Sequence, residues 1–465
     1  MLLILGIVII SICVVVTLLS PQNGLMIYWA WFIVRPQEIV LGLGGELPLE
    51  RILVLALIAS LVIHRRLFKG ERFLLGRISW AFLGFLGVCY LSILTAVWRG
   101  GALVTANDLA KTFVFFFCFI NLITGPKELR RFLWVYVVGI GWEAASSLWA
   151  FGAHPYFAQG IQRATSLEVT WGDPNITAAN LALTVPILAV LLKGARGFLG
   201  KSFLVGLGAM YLICIVLTGS RGGAVLTVVV FLGLALQSSK RMFLIPALLA
   251  CLVIAWAVVP PEYQERYRTL LELREDLTSS NLNSSQAESA QGRLIGFEVA
   301  MQMFVDRPIL GVGCGDFAAA WWARDLPYSY HGLKGWHQPH NLPGQLLSEL
   351  GLLGALSFGF FIFSIMRQGR AARRTLQALQ NPAHEWLISL TNALVVVLVA
   401  LFAGGLSGHN LYRYNWYLVG ALVVVIVRIA EQERAAALPG ENDSLETLTP
   451  LPGLEEVKFI DEWAR

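Results

Sequence analysis

Repeated apolar runs of about 20 residues constrain the fold of this chain more than any other feature. Of its 465 residues, 56% are hydrophobic and 14% are charged, whereas soluble domains carry about 25% charged residues. The runs lie near residues 2–19, 25–40, 49–63, 78–98, 105–124, 132–151, 176–192, 203–217, 223–237, 242–260, 345–366, 386–405 and 415–430. Because an apolar helix of this length satisfies its backbone hydrogen bonds inside a bilayer, the sequence predicts an all-α polytopic membrane protein. Arg35 and Pro36 interrupt the second run, so we expect about 12 or 13 transmembrane helices.

The connections between these runs predict the orientation of the chain. Five connections are rich in Lys and Arg, and they alternate with connections poor in both: 64–77, 125–131, 193–201, 238–241 and 367–374. The positive-inside rule assigns the basic set to the cytoplasm. The segments expected on the outer face are therefore 152–175, 218–222, 261–344 and 406–414.

The same runs divide the chain into four parts. We predict N-terminal transmembrane helices over residues 1–260, one large outer loop over 261–344 and C-terminal transmembrane helices over 345–430. Residues 431–465 are polar, acidic and contain proline, so we expect a cytoplasmic tail that is mostly disordered.

Inside the large outer loop, one stretch has the spacing of an amphipathic helix. Leu294, Phe297, Met301 and Phe304 recur every three or four residues, and Pro308 follows them. A helix with one apolar face needs a surface to cover that face. We therefore expect this helix to lie against the membrane or the helix bundle.

Two arginines of the outer segments lie at the starts of predicted helices. Arg221 belongs to the sequence TGSRGG, and Arg293 belongs to AQGRLIGFE. The N–H groups of a helix N-terminus and a guanidinium can together bind a phosphate. A cation at that position is unfavourable for the helix dipole unless an anion meets it. The alternatives are that Arg221 extends to the membrane interface and that Arg293 is a solvated loop residue.

Three of the seven histidines precede the predicted helix that begins near residue 345. They are His331, His337 and His340, and Asn341 follows the last of them. A zinc site is not favoured, because no carboxylate or Cys stands beside them at a ligand spacing. An imidazole titrates near ambient pH, which suits a general base. We predict this role for His340, with a structural role as the alternative for His331 and His337.

Asp173 and Asn175 flank Pro174 just before another predicted helix. A helix cap is the ordinary reason for this pattern, and contact with a substrate is the alternative.

Taken together, helix-start arginines and a histidine suit an anionic leaving group and a nucleophile that must lose a proton. A lipid-linked diphosphate fits this combination, because its chain can lie in the bilayer while the arginines hold the diphosphate.

The order of these motifs resembles that of the O-antigen ligase and polymerase superfamily of bacterial inner-membrane glycosyltransferases. The matching stretches are DPN at 173–175, TGSRGG at 218–223, GRLIGFEVAMQMFVDRPILGVGCGDF at 292–317, HN at 340–341 and ELGLLG at 349–354. The resemblance covers about residues 160–410. The opening SPQNGLMIYWAWFIVRPQEIV is also similar to O-glycosylation ligases associated with exosortase systems.

The resemblance implies a multi-spanning fold of the glycosyltransferase C-like type, with its active site on the periplasmic side. It implies inverting, metal-independent transfer of a glycan from undecaprenyl diphosphate, without a cofactor. Arg221 and Arg293 would hold the diphosphate, and His340 would activate the acceptor hydroxyl. The substrate-binding residues that we predict are Arg163, Asp173, Asn175, Ser220, His337 and Asn341.

The acceptor is left open by the sequence. Lipid A core, another glycan and a protein hydroxyl are all compatible with these residues, so a ligase, a polymerase and a protein O-oligosaccharyltransferase are alternatives. A membrane transporter is the rival from a different class, although transporters place polar residues at the bilayer midplane rather than at one face. The expected partners are the lipid bilayer, the donor and the acceptor, and no nucleic acid.

Overall fold

The apolar runs of the sequence form α-helices in the computed structural model of the chain. The structure describes residues 2–36, 49–68, 73–158, 160–166, 172–272, 285–323 and 337–437. Within these ranges there are sixteen α-helices and one antiparallel pair of two-residue strands, β1 (Phe157–Ala158) and β2 (Ile161–Gln162). The predicted all-α membrane architecture is therefore confirmed.

The helices are numbered here in chain order. Their bounds are α1 (Leu2–Leu19), α2 (Pro21–Val34), α3 (Leu49–Val62), α4 (Arg77–Leu91), α5 (Arg99–Leu122), α6 (Pro126–Ala153), α7 (Pro174–Gly194), α8 (Phe198–Leu217), α9 (Arg221–Gln237), α10 (Arg241–Val258), α11 (Pro261–Glu272), α12 (Ser285–Asp306), α13 (Phe317–Ala323), α14 (Leu342–Ala378), α15 (Glu385–Gly405) and α16 (Tyr414–Ala436). A π-helical turn follows α3, and 3₁₀ turns follow α4 and precede α15.

Seven helical stretches among the described residues are long and apolar enough to cross a membrane. They are Arg77–Leu94, Arg99–Leu122, Pro174–Gly194, Phe198–Leu217, Leu342–Ala378, Pro382–Gly405 and Tyr414–Ala436. Shorter apolar helical stretches are Gly6–Leu19, Arg221–Gln237 and Arg241–Cys251. All thirteen apolar runs thus carry helix, and seven of these helices also have the length and hydropathy of a span.

Two of the five predicted basic connections, 64–77 and 125–131, lie at the same end of the helix bundle. Arg65 donates a hydrogen bond of 2.8 Å to the carbonyl of Asn121, which joins the end of α3 to the end of α5. The guanidinium of Arg130 lies 4.7 Å from the ring centroid of Trp386, which joins the starts of α6 and α15. This arrangement agrees with the predicted alternation of basic connections, and the side of the membrane that they face stays a prediction.

Aromatic packing joins helices that are distant in the sequence. Phe82 of α4 stacks on Tyr417 of α16 with ring centroids 4.4 Å apart. Phe361 of α14 lies 5.5 Å from Phe82 and 5.6 Å from Tyr417. All three rings are fully buried, so α4, α14 and α16 share one core, and this core fixes the position of α14.

Helix α14 is interrupted at Gly351, and the loop after α12 fills the interruption. The backbone of Gly351 has φ 62° and ψ −157°, a conformation that is essentially restricted to glycine. The N–H of Leu352 donates to the carbonyl of Pro308 at 2.8 Å, and the N–H of Val312 donates to the carbonyl of Ser348 at 2.8 Å. The loop thus replaces hydrogen bonds that the helix lacks at the break.

This contact explains two glycine-containing motifs of the sequence, GVGCGDF and ELGLLG. A Cβ atom at Gly311 would lie 2.4 Å from the carbonyl carbon of Glu349, and one at Gly351 would lie 2.5 Å from the carbonyl carbon of Ile309. Both glycines also have positive φ, 66° and 62°. They are required because the two backbones touch, which is a structural role.

The helix predicted inside the outer loop is present as α12, and Leu294 and Phe297 do not form the face that packs on the rest of the protein. That the predicted apolar face lies against the membrane stays a prediction. Leu294 and Phe297 are 55% and 43% exposed. The helix packs instead through Gly296, where a Cβ would lie 3.1 Å from the carbonyl oxygen of Pro339. Small residues allow this close approach, and it turns the neighbouring face inward. The buried apolar side chains of α12 are Ile295, Val299, Ala300 and Met303.

The predicted bounds of the C-terminal transmembrane helices, 345 and 430, shift by a few residues. Helix α14 begins at Leu342, before the predicted 345, and α16 continues past residue 430 to Ala436. Asn341 caps α14 and Pro343 lies in its first turn, so the early start has an ordinary cause. Residues 438–465, which hold most of the predicted tail, lie outside the described residues.

Candidate active site

A tight turn and the start of α9 place Arg221 at the end of the bundle away from the basic connections. Arg221 is the first residue of α9, Ser220 is its N-cap, and Gly219 has φ 57°. The N–H of Gly223 donates to the Ser220 hydroxyl at 3.1 Å. The predicted arginine at a helix N-terminus is confirmed. Because Arg221 is only 6% exposed, it is buried within the protein and does not extend to the membrane interface.

One hydrogen-bond network joins the turn before α9 to the start of α7. Arg163 donates from Nε to the carbonyl of Thr218 at 2.6 Å and from Nη2 to Asn175 Oδ1 at 3.1 Å. The hydroxyl of Ser220 donates to the same Asn175 oxygen at 2.8 Å. Asp173 Oδ1 accepts from the N–H of Asn175 at 2.6 Å, so the ordinary N-cap is present. These four predicted substrate-binding residues are brought together, and their contact with substrate stays a prediction.

Three side chains of helix α11 donate hydrogen bonds to backbone carbonyls at and around the same turn. Arg266 donates from Nε to the carbonyl of Gly219 at 2.6 Å, and Tyr263 donates to the carbonyl of Gln162 at 2.6 Å. Tyr267 donates to a carbonyl in the last turn of α8 at 3.3 Å. These three hydrogen bonds were not predicted from the sequence. The sequence signal for them was the helical spacing of Tyr263, Arg266 and Tyr267 in YQERYR.

His340 directly precedes Asn341, the N-cap of α14, and has a left-handed backbone, with φ 51°. That conformation is uncommon for a residue with a side chain, and such residues concentrate at functional sites. Asn341 caps the helix, since its Oδ1 accepts from the N–H of Gly344 at 2.5 Å and its Nδ2 donates to the carbonyl of Pro339 at 2.7 Å. Both groups of the Asn341 amide therefore hold the backbone that carries His340.

Arg293 does not lie at the start of its helix, which corrects the prediction. Helix α12 begins upstream at Ser285, because the Ser, Ala, Glu and Gln residues before Gly292 continue the helix. Position 293 therefore lies inside α12 and not among the unpaired N–H groups at the start of that helix. Its side chain lies outside the described residues. Position 293 precedes Gly296 by one helical turn, and Gly296 contacts the backbone just before His340.

The other two histidines of this region are His337 and His331. The ring centroid of His337 lies 5.1 Å from that of Trp321 in α13. Its Nε2 is buried and has no hydrogen-bond partner among the described residues. His331 lies outside the described residues. The predicted substrate contact of His337 stays a prediction.

The segment between α15 and α16, residues 406–413, adds groups that sequence reasoning missed. The ring centroids of His409 and His340 lie 5.6 Å apart, with an interplanar angle of 68°. A Cβ at Gly222 would lie 3.4 Å from Ser407 Oγ, so the same segment also reaches the start of α9. It therefore joins the two halves of the site. The signal was the sequence SGHNLYRY in a connection already assigned to the outer face.

The electrostatics of the site combine fixed cations with a neutral imidazole. Burial lowers the pKa of Arg163 and of Arg413, and the carboxylate of Asp173 opposes this effect in both. Burial also lowers the pKa of His409 to about 4, and the charges of His340 and Arg413 add to that effect. Arginine stays protonated under these conditions. Within the described residues, no three His, Cys, Asp or Glu side chains are grouped to hold a metal ion.

Residues 203–359, about one third of the chain, match the O-antigen ligase family. The match includes Arg221, Arg293, His340 and the break in α14 at Gly351. It supports a glycan transferase of the ligase or polymerase type in a multi-pass membrane protein. No protein with curated annotation matches the chain.

Proposed function

We propose that this chain, which carries the domain of the O-antigen ligase family over residues 203–359, transfers a glycan from undecaprenyl diphosphate to an acceptor hydroxyl. The reaction would invert the anomeric carbon and need no metal. It would take place at the periplasmic face of the bacterial inner membrane, since the basic connections lie at the opposite end of the bundle. Lipid A core, another glycan or a protein supplies the acceptor.

The observation that carries this proposal is the juxtaposition made by residues 406–413. Through Ser407 the segment contacts the start of α9, where Arg221 lies, and through His409 it contacts His340. This juxtaposition supports the assignment of a guanidinium at a helix N-terminus and an imidazole to one site. The first group suits a diphosphate, and the second suits a hydroxyl that must lose its proton.

The proposed step is a direct displacement. His340 takes the proton of the acceptor hydroxyl while the oxygen attacks the anomeric carbon of the donor sugar. Undecaprenyl diphosphate leaves with the electron pair of the broken bond. Arg221 stabilises the charge that develops on the bridging oxygen, and Arg293 is predicted to do the same. Since this charge grows toward the transition state, loss of an arginine should lower kcat more than donor binding.

The test is transfer by the purified full-length protein in nanodiscs, with undecaprenyl diphosphate glycan, candidate acceptors and EDTA. Wild type is compared with Arg221→Ala, Arg293→Ala and His340→Ala. Arg268→Ala is the matched control, because Arg268 is an exposed arginine of α11. We expect losses of about 100-fold or more in kcat for the three variants and wild-type transfer for the control. Near wild-type transfer by Arg221→Ala or His340→Ala would refute the assignment, and so would activity that requires a metal.

A further inference from the structure

The segment 406–413 is held in place by hydrogen bonds to three helices. Asn410 Nδ2 donates to the carbonyl of Leu401 in α15 at 2.8 Å, and the N–H of Leu411 donates to Gln345 Oε1 in α14 at 3.1 Å. A tryptophan of α16 donates to the carbonyl of Asn410 at 3.0 Å. The segment is therefore fixed relative to the start of α14, where the candidate base lies.

His409 is the side chain of this segment that meets the candidate base. Its ring approaches that of His340 in an edge-to-face arrangement, with 5.6 Å between centroids. The Nδ1 atom of His409 is buried and has no hydrogen-bond partner among the described residues. An imidazolium donates from both ring nitrogens, so a charged His409 would leave a buried N–H unsatisfied. This geometry favours the neutral ring.

The charged and titratable groups around His409 come from three elements. Arg413 belongs to the same segment, His340 precedes α14, and Asp173 precedes α7. Arg413 and a protonated His340 oppose a proton on His409, whereas Asp173 favours one. Burial has the largest effect and lowers the pKa of His409 to about 4. The ring is therefore neutral at neutral pH.

We infer that His409 is a positioning residue for the transfer: it holds the ring of His340 edge-to-face and stays neutral, so that His340 alone takes the acceptor proton. This inference rests on the proposed function. In the step, the acceptor O–H bond breaks, its proton passes to a ring nitrogen of His340, and the oxygen bonds to the anomeric carbon. The bond to the diphosphate breaks and its electron pair leaves with the diphosphate. A neutral aromatic neighbour tolerates the resulting imidazolium, whereas a second cation at this distance would oppose it.

The test uses the full-length protein in nanodiscs with undecaprenyl diphosphate glycan and an acceptor that wild type glycosylates. The variants are His409→Ala, which removes the ring, and His409→Phe, which keeps an aromatic ring without a titratable group. His154→Ala is the matched control, because the ring of the exposed His154 lies edge-to-face with Trp149 at 5.5 Å. The readouts are kcat, the donor KM, the pH dependence of kcat/KM and the thermal unfolding midpoint.

We expect His409→Ala to lower kcat about tenfold or more, with a donor KM within about threefold of wild type. His409→Phe should restore most of kcat, because it keeps the edge-to-face contact. It should also keep the same acid limb in the pH profile, because it leaves His340, the proposed base, in place. His154→Ala should behave like wild type.

Three results would overturn the inference. The first is wild-type kcat in His409→Ala, and the second is a loss of kcat in His409→Phe equal to that in His409→Ala. The third is a pH profile in which His409→Phe lacks an ionisation that wild type shows. If His409→Ala does not fold, the kcat and pH profile of His409→Phe decide the question. Failure of the proposed function is distinct, since wild type would then show no transfer or His340→Ala would keep it.

Discussion

The hydroxyl of Ser220 donates a hydrogen bond of 2.8 Å to Asn175 Oδ1, and this contact ties the N-cap of α9 to the first turn of α7. The two helices thus begin side by side at one end of the bundle. Arg163 donates to the same oxygen at 3.1 Å. Arg221 follows Ser220 directly, so the contact also fixes the backbone of the residue that is proposed to bind the diphosphate.

This link predicts that Ser220 and Asn175 act together. Ser220→Ala removes both the cap and the link and should lower the free energy of unfolding by about 1 kcal/mol. The double variant with Asn175→Ala should lose less than the sum of the single variants, because both remove the same contact. Thermal unfolding in detergent measures the cycle. Thr227→Ala is the control, since that hydroxyl donates to the carbonyl of Gly223 in its own helix, and additive losses would contradict the coupling.

Arg221→Lys separates charge from geometry in the proposed diphosphate site. Lysine keeps the cation but loses the planar pair of donors that matches phosphate oxygens. We expect kcat to fall about tenfold, less than in Arg221→Ala, with the donor KM changed little. Steady-state transfer assays measure both constants. Wild-type kcat in the lysine variant would show that bidentate hydrogen bonding by a guanidinium is not needed.

Gly351→Ala should destabilise the protein by about 3 kcal/mol or more. The new Cβ would meet the backbone of Ile309 at 2.5 Å, and the backbone of Gly351 has positive φ. The loop after α12 would then leave the break in α14. Gly359 is the matched control, because it lies in the same helix and a Cβ there meets nothing within 4 Å.

Gly359→Ala should leave stability unchanged or raise it by about 0.5–1 kcal/mol, since alanine favours helix over glycine. The thermal midpoint should therefore fall in Gly351→Ala and stay the same or rise in Gly359→Ala. Equal midpoints would contradict the proposed role of the break.

His409 should make stability depend on pH in one direction. Its folded pKa of about 4 lies below the ordinary value of 6.5, so the unfolded chain binds more protons between these two values. Stability from this group is present above pH 6.5 and is lost as the pH falls toward 4. His409→Phe removes the effect, so its thermal midpoint should rise relative to that of wild type as the pH falls through this window.

Asp316 makes stability depend on pH in the opposite direction. Its contribution cancels when wild type is compared with His409→Phe. Burial raises its pKa to about 6 from 3.8, so its contribution is present below 3.8 and is lost as the pH rises through 6. Both proteins contain Asp316. A midpoint difference between wild type and His409→Phe that stays constant with pH would contradict the prediction for His409.

The sequence predicted much of the site at the level of motifs and less at the level of contacts. Arg221 at a helix start and Asp173 as a cap follow from local rules of helix ends, and both are confirmed. Arg293 was placed wrongly, because a glycine inside a polar stretch looks like a boundary until the helix packs. His409 was missed, because its significance comes from a neighbour that is distant in the sequence.

The sequence by itself determined that the chain is helical and spans a membrane, because apolar runs of this length are compatible with few other structures. It also determined which ends carry caps, since capping depends on neighbouring residues. Only the tertiary structure decided that the loop after α12 fills the break at Gly351 and that residues 406–413 contact both Gly222 at the start of α9 and His340. Those contacts depend on the packing of helices whose order in space is not encoded in any local pattern.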